Sequence, residues 1–240
     1  MQTVFISDLH LEPARDDISS QFIEYIESLG TETERLYIVG DLFEAWVGDD
    51  APGPLGLQVI EHLARLTRRG VHGFFTHGNR DFLIGSEFLK QTGFTLLDEE
   101  TVIDCYGTQV LLMHGDSLCT DDVAYQALRS VVRDPHWQAD ILAKSVAQRV
   151  ALAREMRLQS SVQMQQKETA IMDVNQQEVE AVMRRHQVNF LLHGHTHRPN
   201  VHKFTLDGQP AQRIVLGDWY EQGSTVRWDK NGFELLELRR

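Results

Sequence analysis

Apolar residues in this chain follow two rhythms. Short unbroken runs, such as Val4-Phe5-Ile6 and Leu36-Tyr37-Ile38-Val39, are too brief for helices and read as buried strands. Between them the apolar positions fall three and four apart. Ile18, Phe22, Ile26 and Leu29 predict a helix from about 17 to 29, which Gly30 can close. The same reading places a strand at 36–39, a helix near 55–69 stopped by Gly70, and a strand at 71–76. A short helix over roughly 80–92, ended by Gly93, and a strand at 110–113 follow. Alternation of this kind predicts an α/β layered fold.

The rhythm changes after Asp116, and the next apolar strand begins only near Val188. A crossover usually needs a single helix of about a dozen residues. Here about 70 residues intervene, patterned as helix nearly throughout. Val123, Leu128, Val131 and Val132 form one amphipathic segment, which Pro135 breaks. Trp137, Ile141, Val146, Val150 and Met156 suggest a second, and residues 170–186 the ordinary crossover helix. The surplus reads as a helical lid, at about 122–175, inserted into a single domain spanning 1–240. The last 40 residues look like a β meander of 201–206, 212–220, 224–229 and 233–239, with turns at Asp207-Gly208 and Asn231-Gly232.

Charge changes this picture. The chain carries a net −12, which argues against broad nucleic-acid binding. Yet residues 129–168 carry +3, leaving −15 for the rest. A basic, helical insertion is either a solvated face or a lid that meets an anionic or lipidic ligand. Cys105 and Cys119 fit no metal-binding spacing and point to free thiols in a reducing compartment. The N-terminus lacks the pattern of a signal peptide, and no apolar run approaches the roughly 20 residues that span a bilayer. These features lead to the expectation of a cytoplasmic protein, with a peripheral membrane location left open.

The candidate chemistry lies where the apolar runs end. Asp8 and His10 follow the first run, Asp41 follows Gly40, Asn79 follows Gly78, His114 follows Met113, and His195 and His197 follow Gly194. In open α/β sheets, ligands bind outside the carboxyl ends of the strands, so five such endings read as one site. Asp8-x-His10 and His195-x-His197 each place two side chains on one side of an extended segment. Oxygen and imidazole donors without thiolate suit Mn²⁺, Fe²⁺ or Zn²⁺. Two such ions about 4 Å apart can hold a hydroxide and neutralise a phosphoryl oxygen during in-line attack. Arg80, next to Asn79, can grip a phosphate. His77 and His193 are expected to be structural, and Asp116 to orient a ligand histidine.

In order and identity, Asp8-Leu9-His10, Gly40-Asp41, Gly78-Asn79-Arg80-Asp81, His114-Gly115-Asp116 and Gly194-His195-Thr196-His197 resemble the calcineurin-like metallophosphoesterases. The resemblance covers about 1–120 and 187–220 and implies an α/β/β/α sandwich around two metal ions. Most of that family has His where this chain has Arg80. Arg cannot donate a proton to a leaving group, which favours a pyrophosphate over an alkyl phosphomonoester. The whole chain, including Gly40-Asp41-Leu42-Phe43-Glu44-Ala45-Trp46 and Ile171-Met172-Asp173-Val174-Asn175, is similar to the branch of the family that serves lipid A biosynthesis. That similarity implies hydrolysis of UDP-2,3-diacylglucosamine to UMP and 2,3-diacylglucosamine 1-phosphate, by attack of metal-bound hydroxide at the α-phosphorus. It implies Mn²⁺, a peripheral place on the cytoplasmic face of the inner membrane, and no obligate protein partner. By position, it gives Asp8, His10, Asp41, Asn79, His114, His195 and His197 as metal ligands. Asn79, Arg80, Asp122, Ser160, Met164, Lys167 and His195 match substrate contacts, with Asn79, Arg80 and His195 also catalytic.

Two rivals remain at this level. A phosphoesterase for water-soluble substrates would need no amphipathic lid. A scaffold that has lost catalysis would have no reason to keep all seven ligands.

Overall fold

The computed structural model describes residues 1–166 and 173–238, with side chains described outside 159–166. Strands β1 (Gln2–Ile6), β2 (Thr33–Val39) and β3 (His72–Thr76) run parallel, joined by helices α1 (Asp16–Ser28) and α2 (Gly53–Arg68). Helix α3 (Ser86–Thr92) leads to a short β4 (Thr95–Leu96). Strands β5 (Thr101–Cys105) and β6 (Thr108–Leu112) form a hairpin that begins the second sheet. After it come α4 (Val123–Val132), α5 (Pro135–Leu142), α6 (Val146–Gln166), α7 (Gln176–His186) and β7 (Phe190–His193). The chain ends with β8 (Asn200–Leu206), β9 (Gln209–Val215), β10 (Gly223–Asp229) and β11 (Gly232–Leu238). The six-stranded sheet has the order β11-β10-β1-β2-β3-β4, and the five-stranded sheet the order β5-β6-β7-β9-β8.

Side-chain alternation builds the layers. Val4 and Ile6 of β1, and Leu36 and Ile38 of β2, pack beneath α1 and α2 with Ile18, Phe22, Val59 and Leu63. Their neighbours Phe5, Tyr37 and Val39 face the other way, onto Val110, Leu112, Leu192 and Ile214 of the second sheet. Leu111, Met113 and Leu191 in turn pack beneath Val179, Val182 and Met183 of α7. Both faces of each central strand are therefore dry, which is why these strands read as unbroken apolar runs. The result is the expected α/β/β/α sandwich.

Besides the unforeseen strands β4 and β5, and a crossover helix that is capped by Asn175 and starts at Gln176, not near 170, the structure departs from the sequence reading in three places. Helix α3 starts at Ser86, not near 80, because 79–85 turns around Asp81. The carboxylate of Asp81 accepts from Gly78 N at 2.8 Å and Leu42 N at 2.7 Å. The C-terminal strands are not one meander. Hairpin β8–β9 belongs to the second sheet and β10–β11 to the first, and the strand expected at 212–220 stops at Val215. The second amphipathic segment of the insertion is two helices. Asp134 caps α5, with Pro135 at its first turn, and Ser145 and Gln148 bond each other's ends at the start of α6. Among the described residues, no helix is long and apolar enough to cross a membrane.

Candidate active site

Parallel strands β1, β2 and β3 of one sheet, and β6 and β7 of the other, bring their carboxyl ends to one edge. The chain must turn sharply as it leaves each strand, and the turns are strained. Asp8, His10, Asp41, His195 and His197 all have positive φ, five of the eight such non-glycine residues among those described. This conformation disfavours L side chains, and its concentration at one edge marks a functional site. Two glycines permit the crowding. A Cβ at Gly78 would overlap Asp41 Oδ1, and one at Gly194 would overlap Asp8 Oδ2.

All seven predicted ligands converge. His10 Nε2 lies 3.1 Å from His197 Nε2, and the latter lies 3.5 Å from Asp8 Oδ1. Asp41 Oδ2 stands between two histidines, 3.9 Å from His10 Nε2 and 3.7 Å from His114 Nε2. Asn79 Oδ1 is 3.0 Å from His114 Nε2 and 3.0 Å from His195 Nδ1. The cluster thus has two lobes that share Asp41. Asp8, His10, Asp41 and His114 are buried, while Asn79, His195 and His197 are half-buried at its mouth.

Three of the four rings have a neighbour at the second nitrogen. His114 Nδ1 donates to Val39 O at 2.9 Å, so Nε2 carries the free lone pair. His10 Nδ1 lies 3.0 Å from Glu44 Oε2, and His197 Nδ1 lies 3.1 Å from Asp218 Oδ2. Asp8 is held from outside, accepting from Ser7 Oγ at 2.5 Å and from His195 N at 3.0 Å.

The electrostatics ask for a cation. Burial pushes the rings of His10 and His195 each down to about 4. Burial also opposes a charge on His197, but the Asp218 and Asp8 carboxylates outweigh it and raise that ring to about 10. Burial of Asp8 favours its neutral form, yet the rings of His197, His114 and His10 hold it well below the usual carboxylate range. Buried acids here recruit a proton onto a neighbouring imidazole, and divalent metal ions can replace that proton. The His10 and His197 Nε2 atoms, 3.1 Å apart, share one proton in the absence of metal, and a divalent ion can take that proton's place between them. Ligating atoms of Asp8, His10 and His197, and of Asp8, Asp41 and His114, fall within 4.8 Å of one another. The donor set therefore fits divalent metal ions.

One mouth of the cluster opens into a groove of about 870 Å³, counted with its open side. The loops after β2 and β3 form one wall, with Trp46, Val47, Phe82 and Leu83. The inserted helices form the other, with Leu128, Trp137, Leu152 and Met156. Asn79 and Arg80 lie at its metal end, and Arg80 Nε is buried without a hydrogen-bond partner among the described residues.

Four of the insertion's arginines turn inward, a finding that the sequence did not foretell, while Lys144 and Arg154 are exposed. Arg157 pairs with Glu44, and Arg149 bonds Val47 O at 2.6 Å and Asp50 Oδ1 at 2.7 Å. Arg133 donates to Gly78 O at 2.9 Å, and Arg129 Nε to Asp116 Oδ2 at 2.9 Å. Asp116 also accepts from Tyr125 Oη at 2.8 Å. Contrary to expectation, Asp116 makes no hydrogen bond to a ligand ring and instead anchors the foot of α4. Asp122 caps α4 through Tyr125 N at 3.1 Å. The side chains of Ser160 and Met164, and all of Lys167, lie outside the described residues. His77 and His193 bond backbone carbonyls, Ile84 O at 2.7 Å and Gly194 O at 2.8 Å, as structural histidines do.

Sequence reasoning missed Glu44, Asp218 and Tyr220, whose ring stacks on His10 at 5.3 Å. A signal for Asp218 was present. Leu216-Gly217-Asp218 repeats the strand-end pattern of Val39-Gly40-Asp41, after a strand parallel to β7.

The fold and the acid–imidazole cluster define a metallophosphoesterase, and the chain belongs to the calcineurin-like phosphoesterase family, whose model matches residues 1–199. Its full-length relatives carry a narrower name. It is similar to the UDP-2,3-diacylglucosamine hydrolase of Chromohalobacter salexigens, 55% identical over 219 residues, 91% of this chain and 89% of that one. The UDP-2,3-diacylglucosamine hydrolases of Enterobacter sp. and Salmonella typhi are 46% and 47% identical, over 99% and 98% of both chains respectively. Among solved structures, an archaeal phosphodiesterase superposes with a TM-score of 0.51 at 13% identity, covering 99% of this chain and 100% of that one. A cold-active protein tyrosine phosphatase variant gives 0.50 at 12%, covering 99% and 80%. Likeness at such identity bears on the fold alone. The chain is a hydrolase of this family.

Proposed function

We propose that the chain hydrolyses the pyrophosphate bond of UDP-2,3-diacylglucosamine, giving UMP and 2,3-diacylglucosamine 1-phosphate in lipid A biosynthesis. The observation that carries this reading is the juxtaposition of the cluster with an apolar groove whose metal end holds Arg80. A diacylated sugar phosphate has the same order of parts, with grease beyond an anion. The relatives at 46–55% identity bear the name of this activity.

Asp8, His10, Asp41 and His197 would hold one ion, and Asp41, Asn79, His114 and His195 a second, with Mn²⁺ the fitting metal for this mixed oxygen and nitrogen set. Bound there, the ions supply Lewis acidity and an activated water at neutral pH. The protein's own residues do the rest. Arg80 binds a phosphoryl oxygen with a guanidinium whose Nε lacks a partner, and so stabilises charge as the bond to the α-phosphorus breaks. Asn79 and His195, side by side at the mouth, orient that phosphate. No residue need donate a proton to the leaving group, because a sugar phosphate leaves as a stable anion.

Helices α4–α6 act as the lid over about 122–175, with Asp122, Ser160, Met164 and Lys167 contributing substrate contacts. With four arginines turned inward, exposed apolar side chains, beside Lys144 and Arg154, are the membrane-seeking part. Val123 is 75% and Leu158 is 69% exposed on the insertion, which supports a peripheral seat on the cytoplasmic face of the inner membrane. Neither nucleic acid nor an obligate protein partner is required.

The test is turnover by metal-stripped protein resupplied with Mn²⁺. UDP-2,3-diacylglucosamine should be hydrolysed far faster than short-chain or soluble phosphoesters. Equal rates on soluble dinucleotide polyphosphates would favour the soluble rival instead.

A further inference from the structure

The metal cluster has a second opening, on the side of His197. There a recess of about 750 Å³, counted with its open mouth, is lined by His197, Gly217, Asp218, Tyr220, Gln222 and Ser224, with Glu221 at its rim. It shares no lining residue with the apolar groove. His10 links the two. Its Nδ1 is 3.0 Å from Glu44, a groove residue, and its Nε2 is 3.1 Å from His197, a recess residue. The cluster therefore stands between two cavities of different character.

We propose that this recess is the subsite for the ribonucleoside half of a nucleotide-containing substrate, whose phosphates lie over the cluster. The inference rests on the substrate reading above and extends it to a part of the site to which no residue has so far been given. Its chemistry suits a nucleoside and not an acyl chain. The Tyr220 ring is fixed by its stack on His10 at 5.3 Å, by the Arg15 guanidinium over it at 5.9 Å and by Arg15 Nη2 donating to Tyr220 O at 2.7 Å, and it walls the recess with aromatic surface against which a base can pack. The Glu221 carboxylate can accept from a ribose diol, as acidic residues do in dinucleotide sites. Gln222 carries a neutral amide donor and acceptor for a base edge, and Ser224 Oγ, accepting from Gly217 N at 3.0 Å, holds the turn that lines the recess. A free phosphate would avoid such an acidic rim, so the phosphate's place is over the cluster and the neutral nucleoside's is beyond it.

The full chain, loaded with the diamagnetic ion Mg²⁺, provides the test by amide NMR. UMP should shift the amides of Gly217, Gln222 and Gly223, whereas inorganic phosphate alone should leave them unmoved. The lipid product should instead shift the Trp46 and Trp137 indoles. In the Tyr220→Ala protein the dissociation constant of UMP should rise about tenfold relative to that of phosphate, the scale of one lost aromatic contact. The Glu221→Gln protein, altered away from the ligands, should also bind UMP more weakly. UMP shifts confined to the groove would overturn the proposal, as would unchanged UMP binding in both variants. Hydrolysis of UDP-2,3-diacylglucosamine with UMP shifts outside the recess would sink this inference alone; absence of hydrolysis would sink the substrate reading.

Discussion

Single side chains set the chemistry here chiefly by aiming one another. Glu44 and Asp218 touch the candidate ligands His10 and His197 at their far ring nitrogens, and removing such a partner from a ligand typically lowers metal affinity ten- to a hundredfold. Glu44→Ala and Asp218→Asn should each weaken Mn²⁺ binding on that scale in calorimetry, with the fold intact by circular dichroism. The raised His197 ring, at about 10 without metal, implies that loading at neutral pH releases about one proton. Titration in buffers of different ionisation enthalpy would count it, and the His197→Asn protein should release less. His193 is opposite in sign. Burial holds it down to about 3, so the unfolded chain takes up its proton first as pH falls below about 6.5. Its contribution is thus lost progressively from about 6.5 toward 3, and metal-free protein should lose less stability over that range with His193→Gln. The convergence of the seven candidate ligands was legible because each follows a strand. Glu44 and Tyr220 were not, because only the folded turns bring them to His10.

Elements carry the reach of the site. The insertion was legible as surplus helix and the break between α4 and α5 as Pro135, whereas the break between α5 and α6 was not, because the apolar spacing runs through it. What its charge meant was not legible, since sequence shows a basic stretch but not the acids and carbonyls that receive it. Arg129, Arg133, Arg149 and Arg157 fasten α4–α6 to the core. Replacing Asp116 by Ala leaves Arg129 and the Tyr125 hydroxyl without their shared acceptor. Amide exchange across 123–133 should quicken while the central strands remain protected. Asp134→Ala, which removes the cap of α5, should cost about 1 kcal/mol in denaturant unfolding. The C-terminal hairpins show a second limit. Strand pattern and turn chemistry were readable, but whether successive hairpins join the same sheet is decided by long-range pairing.

At the scale of the whole molecule, two sheets bring five strand ends to one edge, and the two openings of that edge differ in kind. One is a greasy groove roofed by the insertion, and the other is a polar recess beside β9. A substrate with a lipid at one end, a nucleoside at the other and two phosphates between matches that arrangement. The central claim is that this edge breaks the pyrophosphate by attack at the α-phosphorus. The most direct measurement is hydrolysis of UDP-2,3-diacylglucosamine in H₂¹⁸O with Mn²⁺, followed by mass analysis of both products. The account requires one ¹⁸O in UMP and none in the lipid 1-phosphate. Label found only in the lipid product, or no hydrolysis by the metal-loaded protein, would contradict it.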